Sequence, residues 1–446
     1  MMKRTLQLIH LAWPVLIAQL AFMANAVIDT AMAGRLSAID LASVGIAAAI
    51  MSTILMSLVS VLLALPPLIA QLCGAGRQGG VGREVQQSVW ISLVLALVAI
   101  LLLRFPGPLI AISHLQPVVE TKVRAYLAAS AWGVPAIFAL RIFFGFSTGI
   151  GRPAPVMFFN LMSLAIKIPL NAVFMYGLLG AQKMGGPGCA VATALDAWLM
   201  AILAWGWCLR NQSYLPFRLR QRFAAPDFKA IGEFLKLGIP IGLTFVADVT
   251  AFTFMALFIA RLGPVVSGAH QIAANLAALA FMVPLALGNA TSVLVGQDIG
   301  AGQRASARRT CWAGIRLGMG MAAVLSTLFW FGAPYIAALY TTDIDVQKAA
   351  IPLIMLVALY HLGDGLQAVA VNALRGYKKS VVPMLLYATL LWGMGLGGGI
   401  LLGLTDTLGA ARGAPGFWIA AIASLWLVAV LVAVYLNAVS RKSVVV

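Results

Sequence analysis

Long apolar runs fill this chain, and polar residues collect in the short breaks between them. Read against Gly, Pro and charge, the runs predict twelve helical spans, at 12–33, 41–69, 86–104, 123–147, 156–179, 188–209, 234–260, 268–296, 311–332, 349–373, 381–404 and 416–438. A hydrocarbon core about 30 Å thick is crossed by roughly 20 helical residues, so each run is read as a membrane span. Most breaks are short. The stretch from Arg210 to Gly232 is longer, polar and basic, and holds Pro216 and Pro226. It reads as a linker, which divides the chain into a six-span lobe at 1–210, a linker at 211–232 and a second six-span lobe at 233–446. The fold class expected is an all-α membrane protein of two six-helix bundles.

The halves repeat one another. A shift of 226 places Leu11-Ala12-Trp13-Pro14 on Leu237-Gly238-Ile239-Pro240, Arg35-Leu36 on Arg261-Leu262 and Ile46-Ala47-Ala48 on Ile272-Ala273-Ala274. It also places Gln71 on Gln297, Gly74-Ala75-Gly76 on Gly300-Ala301-Gly302 and Arg83 on Arg309. Six spans is an even number, so both halves enter the membrane in the same direction. Such parallel repeats bind substrate between their halves and rock for alternating access.

Composition sharpens this reading. Of 446 residues 62% are hydrophobic and 10% charged, where soluble domains carry roughly 25% charged residues. The net charge of +17 would point to nucleic acid in a soluble protein. Here orientation accounts for it: with the N-terminus in the cytoplasm, nineteen Lys and Arg fall on inside segments and eight on outside ones. That bias makes both termini cytoplasmic. Met1-Met2-Lys3-Arg4 leads straight into a span, so no cleavable signal is expected. Cys73, Cys189, Cys208 and Cys311 form no CxxC pair or His/Cys cluster and suggest neither a disulfide framework nor zinc.

The chemistry lies in four intramembrane acids: Asp29, Asp196, Asp248 and Asp364. Under the repeat they map to Met255, about Ser424, Phe22, and Phe138 or Ala139. None has a partner acid, so the scaffold did not demand them. A charged group at mid-bilayer costs at least a few kcal/mol on insertion scales, and such a residue reads as functional by default. Two readings stand for each: a structural, hydrogen-bonded acid, or a seat for a coupling cation. Depth groups Asp29 with Asn171, Thr193 and Asp196 in the outer third of the first half; Thr193 and Asp196 share one helical face. Asp248 and Asp364 lie deeper, in the second half. If they face each other, like-charge repulsion calls for a proton or a cation such as Na⁺ to neutralise the pair, and oxygen ligands suit it. Arg141 and Arg316, near the cytoplasmic ends, are expected to snorkel; Lys167 lies deeper, where an acid is its natural partner.

Several patterns carry nothing. Gly393, Gly395 and Gly398 spell GxGxxG inside an apolar span, where helix packing is the reading, not nucleotide binding. His114, His270 and His361 have no metal-ligand spacing, and the Asn289-Ala290-Thr291 sequon lies within a span. No P-loop or nucleophile–base pair is seen, so the chain reads as no enzyme.

The ordered motifs resemble those of the multidrug and toxic compound extrusion (MATE) transporters, NorM-like branch, over nearly the whole chain. They are Pro14 with Asp29-Thr30-Ala31-Met32-Ala33-Gly34, Ile168-Pro169-Leu170-Asn171, Cys189-Ala190-Val191-Ala192-Thr193, and Gly238-Ile239-Pro240 with Asp248-Val249-Thr250-Ala251-Phe252. Ala269-His270-Gln271-Ile272-Ala273 and Asp364-Gly365-Leu366-Gln367 with Leu374-Arg375-Gly376-Tyr377 complete the set. The resemblance implies the MATE fold and a monomeric secondary antiporter without cofactor in the bacterial inner membrane. It would export amphipathic, often cationic drugs in exchange for Na⁺ or H⁺. It carries Asp29 over as the first-half carboxylate with Asn171 and Thr193, and Asp248 with Asp364 as the cation pair and candidate Na⁺ ligands. It likewise implies Phe252, Gln271 and Asp343 as drug contacts. Position 248 is usually Glu in this branch, and Met175 stands where a related branch has an acid; Asp196, one turn past Thr193, is read as its substitute. Rival readings are a flippase for lipid-linked precursors, which would want a strongly cationic cavity, and a channel or non-transporting receptor.

Overall fold

The computed structural model describes residues 2–107, 110, 115–407 and 409–445; His114 lies outside them. Among the described residues, twelve helices are long and apolar enough to cross a membrane, and they fall on the twelve predicted runs. They are α1 (Met2–Gly34), α2 (Ala38–Gly74), α3 (Val81–Arg104), α4 (Pro117–Gly149), α5 (Ala154–Tyr176) and α6 (Pro187–Arg210). The rest are α7 (Phe228–Ala260), α8 (Pro264–Gly300), α9 (Arg304–Tyr340), α10 (Ile344–Gly376), α11 (Val381–Leu404) and α12 (Ala414–Val445).

Local chemistry sets the ends and the irregularities. Ser37 caps α2 by accepting from the Asp40 N–H, and Asp343 caps α10 by accepting from the N–H groups of Asp345 and Val346. Pro117, Pro187 and Pro264 open their helices at the position where no N–H is needed. In α2 the pair Pro66-Pro67 removes two donors, and the rod tightens into a 3₁₀ stretch at Ser60–Ala64 just before it. In α11 the glycine-rich Leu391–Gly397 widens into a π turn.

The chain divides into two compact units: Ile17–Gly242, and Met1–Leu16 with Leu243–Val446. Both boundaries fall inside helices, α1 and α7, two residues after the repeat-matched Pro14 and Pro240.

Helix association in lipid rests on close packing of small residues. In the first unit a Cβ on Gly133 of α4 would stand 2.8 Å from the Ala194 Cα of α6, and one on Gly188 of α6 2.5 Å from the Phe174 carbonyl of α5. In the second, a Cβ on Gly365 of α10 would stand 2.7 Å from the Ala322 Cβ of α9, and one on Gly314 of α9 2.5 Å from the Thr291 Oγ1 of α8. The glycines of α11 pack as expected, though Gly393 has nothing near it. Gly395, Gly399 and Gly403, four apart, meet Ser424 and Phe417 of α12. Large apolar side chains such as Phe331, Leu339 and Leu257 face outward, as a lipid-facing surface requires.

The 211–227 stretch is folded onto the first unit. Tyr214 and Phe217 are buried against Phe146 of α4. Gln86 and Gln87 of α3 bond the backbone at Gln221, Ala224, Ala225 and Asp227.

Candidate functional site

The first unit gathers its polar residues where α1, α5 and α6 meet. The rotation of α6 is set by Ala194 against Gly133 and by two indole N–H groups, Trp198 to the Trp132 carbonyl at 3.1 Å and Trp205 to the Ala139 carbonyl at 3.0 Å. On α5, Ser163, Lys167 and Asn171 are spaced by four and form one stripe. Asn171 Nδ2 donates to Asp29 Oδ1 at 2.7 Å, and Lys167 Nζ lies 3.1 Å from Asp29 Oδ2. Lys167 is only 2% exposed and also donates to Thr193 Oγ1, whose hydroxyl bonds the Cys189 carbonyl at 2.7 Å. Asp196 does not touch Asp29; its Oδ2 accepts from Ser163 Oγ at 2.5 Å, and Asn25 Nδ2 reaches Ser163 Oγ at 3.5 Å. Asp29, Asn171 and Thr193 are thus drawn together, with Lys167 the acid-paired cation expected at this depth.

The second unit builds a different site on α7, α10 and α11. Asp248 Oδ1 accepts from the Tyr387 hydroxyl at 2.9 Å, and the Trp392 indole donates to the Ala247 carbonyl at 3.2 Å, fixing α7 against α11. Asp364 is 4% exposed, held by the close α9–α10 approach at Gly365, and lies within electrostatic range of Asp248. Phe252, one turn past Asp248, belongs to an aromatic cluster. Its ring centroid is 6.1 Å from Tyr360 and 6.5 Å from Trp418; Tyr360 and Trp418 are 5.8 Å apart, and His270 is 5.9 Å from Trp418. Gln271 is exposed on α8. Asp343 is exposed too, and its carboxylate is engaged in the cap of α10.

Sequence reasoning passed over Asn25, Ser163, Tyr360, Tyr387 and Trp418. Asn25 stands four before Asp29, Ser163 four before Lys167 and Tyr360 four before Asp364. That spacing was the available signal. Tyr387 carried none, because its helix joins Asp248 only through tertiary packing.

The MatE family model matches residues 14–173 and 240–400. The chain belongs to the MATE family. The two matched stretches start 226 residues apart, the shift found in the internal repeat. The probable multidrug resistance protein NorM of Aromatoleum aromaticum is 38% identical over 437 residues, 98% of this chain and 94% of that protein. The multidrug resistance protein MdtK of Yersinia pseudotuberculosis is 35% identical over 425 residues, 95% and 93% of the two chains. A multidrug resistance MATE transporter solved in an outward-facing conformation superposes with a TM-score of 0.90 at 16% identity, covering 99% of this chain and 97% of that one. The Vibrio cholerae MATE transporter VcmN in its bent form does so with 0.84 at 17% identity, covering 99% and 98%. These likenesses establish the MATE fold. As a MATE protein the chain is a multi-pass membrane transporter, not an enzyme.

Proposed function

We infer that this MATE transporter is a cation-coupled multidrug efflux antiporter, exporting amphipathic, often cationic compounds against Na⁺ or H⁺. The observation that carries this reading is the pair Asp248 and Asp364, two carboxylates in electrostatic range within an apolar bundle. With the Tyr387 hydroxyl they supply the oxygen donors that a proton or a hard monovalent cation needs. Neutralising the pair removes their negative field, so a cationic drug and the coupling ion bind antagonistically, which is all that exchange requires. Phe252 offers a π face to the cation or to an aromatic drug, with Gln271 and Asp343 as outer drug contacts. Asp29, Asn171, Thr193 and Asp196 form the first-half coupling group. The relatives named as multidrug resistance proteins support the substrate class. The same reading has the protein working as a monomer in a bacterial inner membrane, both termini cytoplasmic, with 1–210 and 233–446 as rocking lobes and 211–232 as the cytoplasmic connection.

The test is drug efflux from vesicles under imposed Na⁺ and H⁺ gradients. Asp29→Asn, Asp248→Asn and Asp364→Asn are each expected to lower gradient-driven efflux at least tenfold. Undiminished efflux in all three overturns the reading, and the gradient that drives the unmodified chain names the ion.

A further inference from the structure

Within the first unit the buried charges do not balance. Asp29 is paired with Lys167, whose Nζ lies 3.1 Å from its Oδ2. Asp196 is 7% exposed and, among the described residues, forms no ion pair. Its Oδ2 takes the Ser163 hydroxyl, and its Oδ1 is buried without a hydrogen-bond partner, as is Asn25 Oδ1. Lys167 and Asp29 both lie within electrostatic range of Asp196. Two carboxylates and one ammonium leave the cluster one positive charge short. A buried charge without compensation costs several kcal/mol and is not tolerated unpaired.

From this we propose that the exchangeable cation of the first unit sits at Asp196, with Ser163 and Asn25, and that Lys167 is a tethered cation filling the place at Asp29. The ligand class is a small monovalent cation, a proton or Na⁺. Carboxylate, hydroxyl and amide oxygens are the donors a hard cation takes. Of the cluster's orphaned oxygens, those of Asp196 and Asn25 belong to residues joined through the Ser163 hydroxyl, while Asn171 Oδ1 belongs to the residue that donates to Asp29. Asp29 keeps a role at one remove: it holds Lys167 away from Asp196. Without Asp29, Lys167 is free to neutralise Asp196 and close the seat.

The inference rests on the reading that the buried acids take up the coupling ion. Its test therefore counts ions in purified full-length protein carrying Asp248→Asn and Asp364→Asn, so that only the first unit contributes. Bound ²²Na⁺ at pH 8 counts sodium; a difference titration in sodium-free medium counts protons. In this background one cation is taken up per molecule. Asp196→Asn abolishes that uptake, and Lys167→Met adds one more cation. Ser163→Ala, which alters no charge, keeps the count and weakens affinity several-fold, so the proposal stays testable if Asp196→Asn does not fold. A count unchanged by Asp196→Asn overturns the proposal, as does Lys167→Met leaving the count the same. If the unmodified chain takes up neither ion, the coupling reading itself fails; if it does and the background ignores Asp196→Asn, only this inference fails.

Discussion

Among the described residues, Asp248 takes one side-chain hydrogen bond, from the Tyr387 hydroxyl at 2.9 Å. Hydrogen bonds to charged groups contribute about 1.5–3 kcal/mol, more than neutral ones, because the partner's desolvation is otherwise uncompensated. Tyr387→Phe removes only the hydroxyl and leaves the ring in its buried place. The expected result is a loss of roughly 1.5–3 kcal/mol in stability, read as a lowered unfolding temperature in detergent. The loss should vanish in an Asp248→Ala background, which has no side-chain acceptor, if Asp248 is the group the hydroxyl serves. An equal loss in both backgrounds would assign Tyr387 to packing alone. At this scale the sequence was a partial guide. The acids announced themselves because charge is costly in lipid, and the i, i+4 spacing marked Asn25, Ser163 and Tyr360. Tyr387 was hidden because a tyrosine in an apolar span is ordinary until its neighbour is known.

Between elements, small residues do the positioning. Asp364 sits one residue before Gly365, and the approach of α10 to α9 leaves no room there: an added Cβ would lie 2.7 Å from the Ala322 Cβ and 3.1 Å from the Gly318 carbonyl. Gly365→Ala must therefore push α10 outward and carry Asp364 with it. Overpacking of this kind costs about 1–3 kcal/mol. The expected outcome is a lower unfolding temperature together with weakened ion-driven efflux. Ala322→Gly in the same chain is expected to return most of both, since it removes the closest clashing methyl; residues in direct contact couple by about 0.5–3 kcal/mol. No recovery in the double variant would place the clash on the Gly318 backbone instead. The span positions were legible in the hydropathy pattern, which needs only length and composition. Which glycine meets which helix was not, because helix rotation is fixed by partners such as Trp198 and Trp205 that bond carbonyls 66 residues away. The 211–232 stretch reads as a polar linker by composition, yet its aromatic residues Tyr214 and Phe217 dock into the first unit.

Across the whole molecule the repeat is deeper than the aligned residues. Each of α1 and α7 begins in one compact unit and ends in the other, and the change falls after Leu16 and after Gly242, equivalent positions under the shift of 226. The starts of both helices are tied down, but with charges reversed. Arg4 on α1 donates to Asp298 of α8 at 2.8 Å and to Ser306 of α9, and Thr310 completes the carboxylate. At the start of α7 the acid is on the other side: Asp227 takes Arg83 of α3 at 2.8 Å and the N–H groups of Lys229 and Ala230. The fold was duplicated; the fastenings were made separately, as the intramembrane acids were. The Asp227 tie should also respond to acid. The Asp227 carboxyl is held below the usual carboxylate range, chiefly by the Ala230 N–H, with partial burial opposing and then Lys229 and Arg83 helping. A carboxyl whose folded value is depressed adds stability that is complete above its unfolded value of about 3.9 and is lost as pH falls through the folded one. Asp227→Asn removes both the charge and that dependence. The unfolding temperature of the unmodified protein should exceed that of the variant by a constant margin above about pH 5, and the margin should close as pH drops below about 4. A margin that stays constant down to the acid limit would mean that the hydrogen-bonding shape of Asp227, not its charge, fastens the start of α7.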